Sequence, residues 1–150
     1  MRRKDRAITE EAAMNLLKKA EYGILSTVTD IGTPYGVPLN YCVIGSGIFI
    51  HCAAEGQTVD NIRKNKSVSF CVVGRTRILP DQFSTEYESV IVEGEIEEVF
   101  DEDKQTALEG LLHKYSPGYI QKGKIFIEKS KQETKVFKIA INKVTGKARK

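Results

Sequence analysis

A chain of 150 residues, 41% hydrophobic and 29% charged, has the balance of one self-sufficient globular domain over 1–150 rather than of a disordered chain. A net charge of +3, with basic and acidic residues interspersed, is too weak for a nucleic-acid footprint. No apolar run approaches a membrane span. The basic opening "MRRKDRAI" is followed by no apolar stretch of the secretory kind, so a cytoplasmic protein is expected.

In chain order, Thr9 is placed to cap a helix over 10–20, with Glu10 and Glu11 in its first turn, Lys18 and Lys19 in its last, and Ala13, Leu16, Leu17 and Ala20 as its inner stripe. The pattern then changes to "YGILSTVT", "YGVPLNYCVI" and "IFIHCA", separated by Gly-rich turns. These predict three strands in an antiparallel meander, with Pro38 near an edge or bulge. A short helix over 58–64, a strand "SVSFCVV", a polar loop "GRTRILPDQFSTE" and a long strand "YESVIVEGEIEEVF" follow. On that last strand Glu93, Glu95 and Glu97 alternate with Val90, Val92 and Ile96, which predicts one solvated and one buried face. Asp101 is expected to cap a long helix carrying Leu108, Leu111, Leu112 and Tyr115. A break at Pro117 and Gly118, a helical stretch and a final strand "TKVFKIAIN" complete the chain. The pattern is mainly β (α+β): about six strands, interrupted by helices, suggest a closed antiparallel barrel with helices packed outside it.

The stretch "IFIHCAAEGQTVDNIRKN" carries the chemistry. Alternation along a strand puts Phe49 and His51 on one face and Ile48, Ile50 and Cys52 on the other. Gly56 permits a sharp turn, and the first helical amides, at Gln57, Thr58 and Val59, lack intrahelical partners. Such amides form a ready site for phosphate or carboxylate. Thr58 adds a hydroxyl, His51 a possible donor, and Arg63, Lys64, Arg75 or Arg77 could add charge. Against this stands the plainer reading of a tight turn, since most Gly-led helix starts bind nothing. His113, near a helix C-terminus, suits the dipole there.

Cys42, Cys52 and Cys71 form an odd set without a C-x-x-C pair, each in a strand-like run, which favours reduced thiols over disulfides or a zinc site. No G-x-S-x-G, P-loop, G-x-G-x-x-G or H-E-x-x-H is present. Without paired carboxylates or a metal cluster, any chemistry falls to a bound cofactor.

Taken together and in order, "MRRKDRAI", "YGVPLNY", "IFIHCAAEGQTVDNIRKNKSVSF", "YESVIVEGEIEEV" and the closing Val144-Thr145-Gly146-Lys147 resemble the nitroimidazole-resistance (Nim) family of flavoproteins, within the pyridoxamine 5'-phosphate oxidase-like group. The resemblance implies a homodimeric split β-barrel with FMN in the groove between two subunits, acting on a small-molecule substrate. It maps the flavin phosphate onto His51, Gln57 and Thr58, and the ring onto Pro38, Leu39 and Asn40. It gives Tyr87 and Ser89 to the partner side of the groove. The family's Lys or Arg after the turn glycine is Gln57 here, and Arg63 or Arg75 are the cations that could replace its charge. The implied activity is an FMN-dependent oxidoreductase. The alternatives are a haem-binding split barrel with His51 as axial ligand and a flavin carrier or sensor without turnover; a deazaflavin is a minor option.

Overall fold

The computed structural model describes Met1–Lys150. The elements in order are α1 (Glu10–Lys19), β1 (Gly23–Val28), β2 (Pro34–Leu39), β3 (Tyr41–Ile44), β4 (Gly47–Ala53), α2 (Gln57–Lys64), β5 (Ser67–Leu79), β6 (Ser84–Val99), α3 (Asp101–Tyr115), α4 (Ile120–Ser130) and β7 (Thr134–Arg149). The strands form one seven-stranded sheet in the order β2-β1-β5-β6-β7-β4-β3, every pairing antiparallel.

β2 and β3 lie at opposite ends of that order, yet only Asn40 separates them in the chain. Since consecutive Cα atoms are about 3.8 Å apart, the two edges of the sheet must meet. The sheet therefore curls into a barrel, with the β2/β3 seam left out of the hydrogen-bonded ladder. The run 35–44, expected to be one strand, is two: residues up to Leu39 pair with β1, and those from Tyr41 pair with β4.

Tyr41 fastens the break. Its hydroxyl donates to the Leu17 carbonyl, and its ring sits edge-on to Phe70 at 4.8 Å between centroids. Its backbone N–H donates to the Tyr115 hydroxyl at 3.0 Å, and the Lys114 ammonium lies 3.7 Å from the ring centroid. Burial holds the Lys114 amine below its ordinary pKa.

The barrel interior is filled by side chains that alternate inward, among them Leu25, Ile48, Ile50, Phe70, Val92 and Ile139. Ala13 and Leu17 of α1 join them, Leu16 and Ala20 pack at the margin, and Thr9 caps this helix by accepting from the Ala12 N–H at 3.2 Å. On β6, Val90, Val92 and Ile96 are buried and Glu93, Glu95 and Glu97 exposed, as alternation predicts. A second cluster lies outside the barrel wall, where α3 sets Ala107 and Leu111 on Cys42, Phe49 and Val136.

Three further expectations require correction. The stretch 74–86 is no loop: β5 continues to Leu79 through a register shift between Val73 and Thr76, and the hairpin turns over residues 80–83. The final strand does not stop at residue 142 but runs to Arg149 along β6. Asp101 does not cap α3; Phe100 occupies that position, no side chain caps the helix, and Asp101 stands at φ 51°. Alternation is weak in the first two segments, so pairing with β6, a tertiary effect, decides their state.

The β6–β7 register shifts between Glu93 and Gly94. A Cβ at Gly94 would lie 2.3 Å from the Ala140 carbonyl oxygen and 2.9 Å from Ile139 Cγ2. Because the obstacle is backbone, Gly94→Ala is expected to lose about 2–3 kcal/mol of stability, read as a lowered urea midpoint. Gly36→Ala, whose Cβ meets nothing closer than 3.5 Å, is expected to stay within about 0.5 kcal/mol of the parent.

Candidate functional site

His51 settles on the outer face of β4, two residues beyond Phe49 and on the same side, because Ile48 and Ile50 take the barrel interior. Outside the wall it meets a cavity of about 480 Å³ formed with α3 and α4. Asn40 joins it there from the β2/β3 break, opposite Leu108, Leu112 and Phe126. The imidazole is open to solvent on one edge and walled by the protein on the other. That partial desolvation lowers its pKa from the ordinary 6.5 and favours the neutral ring.

The helix start lies elsewhere. Gly56 stands at φ 144°, a conformation that L side chains rarely adopt, and a Cβ there would find nothing within 4 Å, so the space around this turn is open. The Asp60 N–H is the first to donate back to the turn, bonding the Gly56 carbonyl at 3.1 Å, which leaves the amides of Gln57, Thr58 and Val59 without intrahelical partners. A smaller cavity of about 380 Å³ lies beside the helix, lined by Gln57, Arg63, Lys64, Asp30, Asp60 and Asn61. Lys64 is paired with Asp30 at 3.1 Å, whereas Arg63 makes no salt bridge.

Gln57 has a structural role. Its side-chain amide donates to Asn61 Oδ1 at 2.7 Å, Asn61 Nδ2 donates to Thr27 Oγ1 at 3.0 Å, and that hydroxyl reaches the Tyr35 carbonyl at 3.5 Å. This relay ties α2 through β1 to β2, the edge strand carrying Pro38 and Leu39. Asn61, almost fully buried, was not singled out from the sequence. The i, i+4 spacing of Gln57 and Asn61 was the available signal.

Tyr87 and Ser89 lie on β6, away from both places. Tyr87 shares a third cavity, about 410 Å³, with Arg75, Arg77 and Arg149 among others. Arg77 pairs there with Glu86 at 3.4 Å. One protomer thus brings His51 together with Asn40, and Gln57 together with Arg63, but leaves Tyr87 and Ser89 apart; Thr58 opens α2 without lining the cavity beside it. The α4 side of the large cavity, with Tyr119, Lys122 and Phe126, was also missed; its signal is their i, i+3, i+7 stripe.

The cysteines are free. Burial pushes the Cys42 thiol up to about 11 and raises those of Cys52 and Cys71, which makes them poor nucleophiles. No helix is long and apolar enough to cross a membrane.

The family model described as pyridoxamine 5'-phosphate oxidase matches residues 9–148. The chain belongs to the pyridoxamine 5'-phosphate oxidase-like family. This assigns the curled sheet to the split-barrel fold that the family shares. Among solved structures, a candidate 5-nitroimidazole antibiotic resistance protein from Bacteroides thetaiotaomicron is similar at 20% identity and TM-score 0.75, over 94% of this chain and 85% of that one. A FAD-binding protein from Mesorhizobium loti is similar at 22% identity and TM-score 0.70, over 97% and 98%. The FAD and heme binding protein from Mycobacterium smegmatis is similar at 18% identity and TM-score 0.80, over 95% and 72%. At such identities these three likenesses establish fold. No curated protein matches the sequence.

Two measurements test this geometry. The His51 imidazole is expected to titrate below 6.5 in an NMR pH series, with His113→Gln assigning the signals. The unfolded chain binds the proton more readily, so stability from this group falls as pH drops from 6.5 through the folded value, and His51→Gln is expected to flatten that slope. Asn61→Leu removes the two relay bonds to Gln57 and Thr27, leaving the Thr27 hydroxyl only its contact with the Tyr35 carbonyl, and is expected to cost about 1–3 kcal/mol in urea unfolding.

Proposed function

We propose that this protein is an FMN-binding oxidoreductase that reduces a small-molecule acceptor, working as a homodimer with the flavin between two copies of the chain. One observation carries the reading: the open, Gly56-led start of α2 is tied by the Gln57–Asn61–Thr27 relay to the edge strand β2. Those are the two elements that an FMN phosphate and ring would need. The unpartnered amides and the Thr58 hydroxyl suit a phosphate, Arg63 adds a cation without its own ion pair, and Pro38, Leu39 and Asn40 supply a wall for the ring. Bound flavin supplies the redox chemistry; the chain binds and orients it and limits its access to water.

A second copy is supported by what one copy leaves uncovered. Val73, Ile78, Phe83 and Ile91 of the β5–β6 hairpin are exposed, Phe83 by 97%, and apolar surface of this kind marks association sites. An isologous dimer through this hairpin would bring Tyr87 and Ser89 of one copy toward a groove of the other. Similar split barrels include proteins described as FAD-binding, which is in keeping with a flavin.

A haem reading rests on a separate observation, the placement of His51 at an apolar cavity, and on the similar protein described as binding both FAD and heme. The imidazole would be the axial ligand.

Purified protein incubated with FMN and passed through gel filtration is expected to retain a flavin spectrum on a dimer-sized peak. Thr58→Ala is expected to weaken retention by about ten-fold, the value of one hydrogen bond to a charged group. Loss of all flavin, with FAD and the deazaflavin also failing, would overturn the reading. A Soret band with hemin that disappears in His51→Ala would put haem in its place.

A further inference from the structure

The cavity between α3 and α4 has features that the flavin cradle does not use. At about 480 Å³ it is the size of a pocket for a small organic ligand. Its walls are largely apolar, with Leu108 and Leu112 from α3 and Phe126 from α4. Tyr119, just before α4, and Phe126 within it are 68% and 69% exposed, apolar surface of the kind that marks a binding site.

The polar groups are few. The hydroxyl of Tyr115 donates to the Glu21 carbonyl at 2.6 Å, that of Ser130 to Phe126 at 2.8 Å and that of Thr134 to Ser130 at 3.0 Å. These donors are committed to the backbone. Lys122 is the one lining residue with a permanent charge, and it makes no salt bridge. It stands between Tyr119 and Phe126 on their stripe, so a cation and two aromatic rings face the same space. Behind it α4 lies close against α3: at Gly123 a Cβ would fall 2.1 Å from Leu112 Cδ1, so a side chain there would displace that leucine.

We propose that this cavity binds a small aromatic carboxylate of one or two rings, with the rings between the α3 leucines and Phe126 and the carboxylate at Lys122. Lys122 is exposed, so its ammonium stays hydrated beside an uncharged aromatic; a carboxylate adds a charge-assisted contact to the apolar burial, and a cation would be repelled. Asn40 and His51 close the far side, where a neutral imidazole can donate one further hydrogen bond. The inference goes beyond the flavin reading: Asn40 is common to the ring wall and to this cavity, whereas Lys122, Leu108, Leu112 and Phe126 border this cavity and not the one beside α2.

The test uses the full-length protein, as purified and after FMN loading, titrated with 2-naphthoate and with 2-naphthalenemethanol, its uncharged analogue. Saturable one-to-one binding of the acid with a Kd below about 1 mM is expected, with methyl NMR shifts at Leu108 and Leu112. The alcohol is expected to bind at least about five-fold more weakly, in line with loss of one charge-assisted contact. Lys122→Met should reduce the acid to the level of the alcohol. Phe126→Ser, a change at an exposed position, should weaken both ligands alike. Absence of saturable binding in either form, equal affinity for acid and alcohol, or shifts confined to residues around Arg75 and Arg77 would overturn the proposal. So would hemin occupying the cavity with a His51-dependent Soret band and excluding the acid. Failure to retain flavin with intact naphthoate binding would count against the cofactor alone, and the converse against this site alone.

Discussion

Asn40 sets the geometry on which the rest of the molecule depends. It is the single residue between two strands that occupy opposite ends of a seven-strand order, so the chain itself brings the edges of the sheet together. A flat or gently twisted sheet cannot satisfy that connection. The closure is reinforced by Tyr41, the next residue, which spends its hydroxyl, ring and backbone N–H on three different elements: α1, β5 and α3. Long strands that bend through register shifts, and glycine where a side chain would strike the neighbouring carbonyl, complete the curve.

Closure also decides where chemistry can occur. A barrel of this size is filled by its own side chains, and here the interior is packed with aliphatic and aromatic residues, so a ligand must sit outside the wall. The outer wall offers three different environments: an apolar cavity under α3 and α4 with His51 at its rim, an open helix start at α2, and an arginine-rich hollow at the foot of the β5–β6 hairpin. Within one protomer these are separate. The functional proposals follow from that separation: a cofactor that needs α2, β2 and Tyr87 calls for two copies, whereas a ligand of the helix-lined cavity needs one.

Electrostatics at these places is modest and local. The α2 cavity holds two carboxylates beside its two cations, one pair of which is already joined, so its charges are balanced and an anion there would depend on the helix-start amides rather than on net charge. At the rim of the large cavity, desolvation favours the neutral form of His51. An uncharged imidazole can donate a hydrogen bond or coordinate iron, and both roles remain compatible with its position on the outer face.

Much of the architecture was legible in the sequence because it rests on local rules. The Thr9 cap, the alternation of Glu and Val or Ile on β6, the Gly56 turn and the face shared by Phe49 and His51 all follow from helix and strand periodicity and from the conformational freedom of glycine. The ordered motifs carried the family resemblance. What the sequence could not decide is which strand pairs with which: the division at Asn40, the extension of β5 past Gly74 and of β7 past Asn142, and the relay through Asn61 depend on contacts between residues distant in the chain. The cavity belongs to the same class, since Lys122 and His51 come together only once α4 has settled on α3 and α3 on β4. Periodicity reports which side of an element is buried; only the packed fold determines what that side is buried against, and therefore what a side chain at its margin can bind.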